Sequence, residues 1–219
     1  GSGGVELFDA TTLALVRELG QVDGFGLAWS PDGTRLLATS SVVSSIDRGH
    51  AAVVFDVARG AVVARGPVVH RSRVAAFSPD GSRVLLPMTL GNDVFASQVG
   101  VFDATTLERI AFLDAWRGDG KTSVGAVAWD PTGTFVATLA ANDARGLLRV
   151  FDASTWLPAG ETSLIQHARA LEFSADGRRL RVGGCFARYW EIEIGELTDR
   201  IAVAAEPGPL DTEGFVPFT

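Results

Sequence analysis

The residues best placed by type and spacing to do chemistry are Ala115-Trp116-Arg117-Gly118-Asp119-Gly120-Lys121-Thr122. They match a relaxed phosphate-loop pattern, in which Lys121 would reach phosphate oxygens and Thr122 a magnesium ion. An apolar run at 110–113 stands before them, as the pattern asks. The chemistry also needs a helix N-terminus directly after Thr122, because its unpaired N–H groups hold the phosphate. The chain instead continues as Val124-Gly125-Ala126-Val127-Ala128-Trp129, which repeats a strand-like segment found elsewhere in the sequence. A connecting loop is therefore the expected role of this stretch. Arg117-Gly118-Asp119 also spells an adhesion tripeptide, but a match of three residues carries no weight.

The other reactive groups stand alone. Cys185, the one cysteine, follows Gly183-Gly184 with no base in view, so a quiet thiol is expected rather than a nucleophile. A single cysteine excludes an internal disulfide and fits a reducing compartment, and a cytoplasmic location is the expectation. The three histidines, His50, His70 and His167, have no second ligand at metal-binding spacing. No metal and no cofactor are expected. Asp9, Asp56, Asp103 and Asp152 each follow a phenylalanine and recur at regular intervals. A side chain that returns once per repeat cannot build one catalytic site, so these carboxylates read as turn caps.

That regularity runs through the whole chain. Phe77-Ser78-Pro79-Asp80-Gly81-Ser82-Arg83-Val84-Leu85 returns as Trp29-Ser30-Pro31-Asp32-Gly33-Thr34-Arg35-Leu36-Leu37. It returns again as Trp129-Asp130-Pro131-Thr132-Gly133-Thr134-Phe135-Val136 and as Phe173-Ser174-Ala175-Asp176-Gly177-Arg178-Arg179-Leu180. Each copy reads as strand, tight turn, strand: Ser bonds the turn backbone, Pro pre-sets φ, and Gly supplies the positive φ of a type I turn with a bulge. A second unit, Leu7-Phe8-Asp9-Ala10-Thr11-Thr12-Leu13, recurs as Val101-Phe102-Asp103-Ala104-Thr105-Thr106-Leu107. Related copies lie at Phe55-Asp56, Phe151-Asp152 and Trp190-Glu191, with successive separations of 47, 47, 49 and 39 residues.

Two hairpins per repeat at this period are the signature of a propeller blade. The expected fold is all-β: a β-propeller of four-stranded antiparallel blades, with four complete blades after a leading c–d strand pair at 5–20. Strand a leads into the Ser-Pro-Asp-Gly turn, b follows, c ends in Phe-Asp, and d is outermost. Residues 11–20 alone could pass for an amphipathic helix, but their counterparts are Val- and Ile-containing strands. Strand a carries an aromatic next to alanine (Ala28-Trp29, Ala76-Phe77, Ala128-Trp129), which alternation places on opposite faces, as blade-on-blade packing requires. Pro87 falls late in a b strand and cannot donate to a ladder, so that strand is expected to end at Leu86 or bulge there.

A chain of 219 residues can bury roughly 70% of its unfolded surface. Hydrophobic residues make up 47%, without an apolar run of the roughly 20 residues a spanning helix needs. The net charge of −7, spread along the chain, argues against nucleic acid and anionic membrane surfaces. The only methionine is Met88, so Gly1 is not a translation start, and the chain reads as processed or as a portion of a longer one. The propeller is expected over 1–203, with 204–219 as a C-terminal tail that offers a closing strand. Four and a half blades do not close a ring, so the expectation is a portion of a larger propeller or a ring completed by self-association or a second chain.

The Val-Ala-Ala-Phe-Ser-Pro-Asp-Gly run after His70, with the Val-Phe-Asp units, resembles the WD-repeat β-propeller family over 5–203. Propellers of the TolB and prolyl-oligopeptidase types use similar hairpins and are the lesser match. Phe-Asp replaces Trp-Asp in four of five units, and the family's Gly-His survives only as His70 and His167. The resemblance makes those histidines structural hydrogen-bonders and implies a non-catalytic scaffold for a protein or peptide partner. The alternative is the propeller of a hydrolase or other enzyme whose catalytic part lies elsewhere; no Gly-x-Ser-x-Gly elbow occurs here.

One functional asymmetry is legible in the loops. The a–b and c–d turns are short and alike, so one rim is stereotyped. The other rim collects the b–c and d–a connections, expected at 41–50, 89–97, 140–146, 66–73 and 114–123. Varied loops on one face mark a binding face. Within them Arg48, His50, Phe95, Trp116, Arg117 and Arg145 are the expected contacts, Trp and Arg being favoured interface anchors.

Overall fold

Ser30 shows how the repeated turn works. Its N–H donates to Arg35 O (2.9 Å), its carbonyl accepts from Gly33 N (2.9 Å), and its hydroxyl accepts from Arg35 N and donates to Asp32. Gly33 closes the turn at φ 67°. Ser78 and Ser174 repeat these bonds, and in the remaining copy Asp130 takes the serine's place, accepting from Thr132 N and Phe135 N (2.7 Å each). Each turn joins two strands that need it, and the rest of the fold is stacked on those four hairpins.

The structure is a computed structural model that describes residues 4–21, 24–40, 52–66, 74–88, 98–116, 122–142, 145–164, 168–184 and 189–194. It is a β-propeller built of antiparallel sheets in which consecutive strands pair. Blade 1 is the pair β1 (Gly4–Phe8) and β2 (Leu15–Gln21). Blade 2 is β3 (Gly24–Trp29), β4 (Arg35–Ser40), β5 (Ala52–Asp56) and β6 (Ala61–Gly66). Blade 3 is β7 (Ala76–Phe77), β8 (Arg83–Met88), β9 (Gln98–Asp103) and β10 (Arg109–Asp114). Blade 4 is β11 (Ser123–Trp129), β12 (Phe135–Ala141), β13 (Gly146–Asp152) and β14 (Pro158–Leu164). Blade 5 shows β15 (Ala168–Phe173), β16 (Arg179–Gly184) and β17 (Tyr189–Glu193), and its expected d strand lies outside the described residues. Residues 11–20 are not a helix: β2 pairs with β1 as the repeat requires.

Pro87 differs from the expectation. β8 continues through it to Met88, with Pro87 opposite Val99 and no shift of register. Ser78 N donates to Arg83 O, so by alternation residues 83, 85 and 87 turn their polar groups toward β7. The missing N–H of Pro87 thus points to the side where the β7 ladder stops at Ala76. Among the described residues the β7 ladder does not reach Pro87, so the proline removes no bond from it.

The core is a series of layers between neighbouring blades. Val5 and Leu19 of blade 1 meet Leu36, Val53 and Phe55 of blade 2. Leu37, Val54 and Ala64 meet Phe77, Val84 and Phe102 of blade 3. Leu85, Val101 and Leu113 meet Val124, Val136 and Phe151 of blade 4, and Leu139 and Val150 meet Phe173, Leu180 and Ile192 of blade 5. Phe55, Phe102 and Phe151 of the Phe-Asp units, like Phe77, Trp129 and Phe173 of the a strands, therefore face the preceding blade. Alanines 28 and 76 face the following one.

The c–d turns bring the next blade-to-blade contact. Asp9, Asp103 and Asp152 each accept two backbone N–H bonds from the residues two and three ahead. Their carbonyls accept from Leu13, Leu107 and Trp156, which lie in the left-handed region at φ 56°, 55° and 61°. Gly60 holds that place in blade 2 at φ 66°. A leucine or tryptophan there costs backbone energy, and packing offsets it where a neighbour exists. Leu107 lies over Gly66 of blade 2, and Trp156 meets Trp129 edge-to-face at 6.1 Å.

Candidate functional site

Trp116 and Arg145 are the two expected contact residues within the described part of the chain, and the fold brings them together. Trp116 lies two residues past β10 in the connection from blade 3 to blade 4. Arg145 sits just ahead of β13 in blade 4, with its guanidinium 5.0 Å from the centroid of the Trp116 ring. Arg48, His50, Phe95 and Arg117 lie outside the described residues, as do His70, His167 and Cys185.

Two expectations need correction here. Trp116 is 8% exposed and belongs to the layer between blades 3 and 4, so it anchors the rim rather than standing out from it. Its apolar neighbours Ala115, Leu113 and Val124 come from the strand ends that flank the loop. The connection at 140–146 is not a long loop either. β12 runs to Ala141 and β13 starts at Gly146, and the turn between closes with Asn142 N to Arg145 O (3.0 Å) and Arg145 N to Asn142 Oδ1 (2.8 Å). That tight turn is what sets exposed Arg145 over the Trp116 ring.

Arg149 escaped sequence reasoning. It is fully buried at a strand c position where the counterparts are Val53 and Gly100. Its Nε stands 2.9 Å from Glu161 Oε2, and it donates to the carbonyl of Asp114 in blade 3. The Asp114 carboxylate in turn accepts from Gln98 Nε2 at 2.8 Å. A charge in the middle of an apolar c strand was the available signal. These contacts hold Asp114 at the start of the 114–123 connection, in which Trp116 and Thr122 are both buried. After Thr122 comes strand β11, not a helix, so the structural context of a phosphate loop is absent.

On the opposite rim the a–b turns of blades 3 and 4 bound a cleft of about 350 Å³ lined by Ser78, Asp80, Arg83, Trp129, Thr132 and Gly133. Arg83 spans it, donating to Ala153 O (3.3 Å) with its guanidinium 5.1 Å from the Trp156 ring centroid. Arg35 makes the matching reach from blade 2 to Ala104 O (3.4 Å) in blade 3 and also donates to Gly81 O (3.0 Å) there. In blades 2 and 3 the arginine two residues after the turn glycine is thus a blade-to-blade staple, which sequence reasoning passed over, whereas Arg179 of blade 5 pairs with Glu191 of its own sheet.

The aspartates of both turn types are caps. The Ser30 hydroxyl, then Thr34, holds the Asp32 carboxyl down to about 2. Ser78 and Ser82 do the same for Asp80, and Ser154 and Thr155 for Asp152. Asp9, Asp56 and Asp103 are lowered chiefly by backbone N–H bonds from Thr12, Arg59 and Thr106. Such groups stay ionised at neutral pH and are committed to the backbone, which is unsuited to proton transfer. Among the described residues, no three His, Cys, Asp or Glu side chains gather at a spacing that could hold a metal ion.

No family model matches the sequence, and no curated protein matches it. Solved structures do. Hydrazine synthase of Kuenenia stuttgartiensis superposes with a TM-score of 0.69 at 16% identity, over 87% of this chain and 57% of that one. The Cps50 (Swd1) β-propeller domain of Myceliophteria thermophila superposes with a TM-score of 0.65 at 19% identity, over 90% and 61%. The chain spans about three-fifths of the length of each. At these identities the likeness is one of architecture: the chain has the β-propeller fold.

Proposed function

We propose that this propeller is a non-catalytic interaction scaffold whose docking face is the rim of b–c and d–a connections. The observation that carries the reading is the Arg145–Trp116 contact. Two connections of different blades meet there, and buried posts fix both sides of residues 117–121. Buried anchors at Trp116 and Thr122 shorten the stretch left to be ordered when a partner binds, which favours recognition. The sequence of those connections carries six cations, Arg48, Arg71, Arg73, Arg117, Lys121 and Arg145, in a chain of net charge −7, and an acidic segment of a protein or peptide is the partner we assign to them. A cytoplasmic location, with neither nucleic acid nor membrane as partner, belongs to the same reading.

A photo-crosslinking residue placed at Arg145, and separately at Ser82 on the opposite rim, tests it in cells expressing the chain. Adducts with one defined protein from position 145 and none from 82 support the reading. Equal labelling from both positions, or adducts from 82 alone, overturns it. An enzyme-linked propeller is the second reading, favoured by one structural neighbour's being named for an enzyme. Adducts from either rim with a catalytic subunit would select it.

A further inference from the structure

Ala10 lacks a hydrogen bond that every other blade makes. In blades 2 to 5 the residue after the c-strand acid donates its N–H to the residue after the turn glycine. In blade 5 that acid is Glu193, which pairs with Arg179 as Asp103 pairs with Arg83, so Ile192-Glu193 takes the Phe-Asp place expected for Trp190-Glu191. The bonds are Val57 to Thr34 O (3.0 Å), Ala104 to Ser82 O (2.9 Å), Ala153 to Thr134 O (2.9 Å) and Ile194 to Arg178 O (2.8 Å). Each ties strand c to the a–b hairpin of its own blade. Among the described residues blade 1 shows β1 and β2, and the Ala10 N–H has no partner.

The side chains tell the same story independently. Trp29 is 51% exposed, whereas its counterparts Phe77 and Phe173 are each 8% exposed against the preceding blade. Leu27, on the same face, is 60% exposed, while its counterpart Val127 is 9%. Trp29 and Leu27 face the position that strands a and b of blade 1 would fill. β1 presents a free edge beside them, and an unpaired edge next to an apolar face favours adding strands.

We propose that this face is the seat of an a–b hairpin of the chain's own repeat type, supplied by propeller sequence outside these 219 residues. Its chemistry is set by the three interfaces already built. Strand b pairs with β1, the residue after the turn glycine offers its carbonyl to Ala10 N, and strand a presents a small residue to the Trp29 ring, as Ala28 does to blade 3. The occupant is not a second copy of the described region, because each of its a–b hairpins is already paired with a c strand. Nor does 204–219 supply it, since that sequence has no Asp-Gly or Thr-Gly turn of the repeated kind.

The test is a fusion that places residues 123–145, the β11–β12 hairpin with its following turn, directly ahead of Gly4 in the full chain. Tethering removes most of the association cost. The expected result is a rise in Tm of at least ~5 °C and amide exchange at Ala10 slowed about tenfold or more. A blue shift in emission, absent when Trp29 is changed to Phe, is expected as well. A fusion of the same residues in shuffled order gives none of these. Ala10→Pro suits the second position of a turn and removes the N–H, so it should leave the unfused chain's Tm within about 2 °C. In the fused chain it should take away part of the gain. No change in Ala10 exchange or in Trp29 emission on fusion overturns the proposal. So does concentration-dependent dimerisation of the unfused chain that protects Ala10 and Trp29, which gives the seat to a second copy.

Discussion

Phe102 folds its ring over Gly100, two residues earlier on the same strand. A Cβ on Gly100 would stand 2.8 Å from both Phe102 Cζ and Met88 Sδ. Gly100→Ala must push a buried ring out of the layer between blades 2 and 3, which costs about 1–3 kcal/mol. Phe102→Ala, which empties the same place, costs about 3–5 kcal/mol. Denaturant midpoints measure both, and a Gly100→Ala chain as stable as the parent would mean the ring has room to turn away.

The left-handed turn residues give a prediction with opposite signs at two equivalent positions. Leu107 is buried against blade 2, while Leu13 is 75% exposed. Glycine relieves the backbone cost at both. Leu13→Gly is therefore expected to stabilise by up to about 1 kcal/mol. Leu107→Gly loses a buried side chain as well, and a net loss of about 1–3 kcal/mol is expected. Thermal melts of the two variants side by side decide it, and matching signs would refute the packing account.

Burial of Trp116 changes what its removal should do. Trp116→Ala is expected to cost about 3–5 kcal/mol, as loss of a core aromatic does. Arg145→Ala, on the exposed side of the same contact, should cost no more than about 1 kcal/mol, the range of an exposed cation–π pair. Arg145 is therefore the substitution of choice for asking whether this rim binds a partner, with affinity and Tm measured on the same sample.

Acid should act through the turn caps. Asp32, Asp80 and Asp152 have folded values near 2, below the ordinary 3.8, so the folded chain binds fewer protons than the unfolded one in between. Their stabilisation is complete above about pH 4 and is lost as the pH falls toward 2. Tm should be flat from about pH 7 to 5 and fall below about 4. Changing the three aspartates to Asn should lower Tm at neutral pH and flatten the acid fall. An unaltered acid limb would assign acid unfolding to other groups.

The sequence disclosed the repeat because its turns are local chemistry. Ser30, Asp32 and Gly33 make their bonds within six residues of one another, so the motif is written in consecutive letters. The Phe-Asp caps were legible for the same reason, and the alternation of Ala76 and Phe77 announced a packed layer. What the letters did not disclose lies across blades. Nothing local marks Trp116 as buried, because strands ahead of and behind it in the chain form its surroundings. Arg149 answers to Asp114 and Glu161 on two other strands, and Pro87 is tolerated because β7 is short. The 140–146 connection looked long because Ala140 and Ala141 carry no strand signal of their own. The β12–β13 register settles that they are strand.

Every described sheet pairs only strands that are consecutive in the chain. This keeps contact order low for an all-β protein, since each strand closes one connection rather than reaching across the molecule. The entropic cost of bringing strands together is met in small, nearly equal steps. A nascent chain can finish one blade while the next is still being synthesised, and each new blade docks on a face already formed. Among the described residues, assembly of the successive sheets can then advance along the chain like a stack, since none of their strands pairs with one from a distant part of the polypeptide.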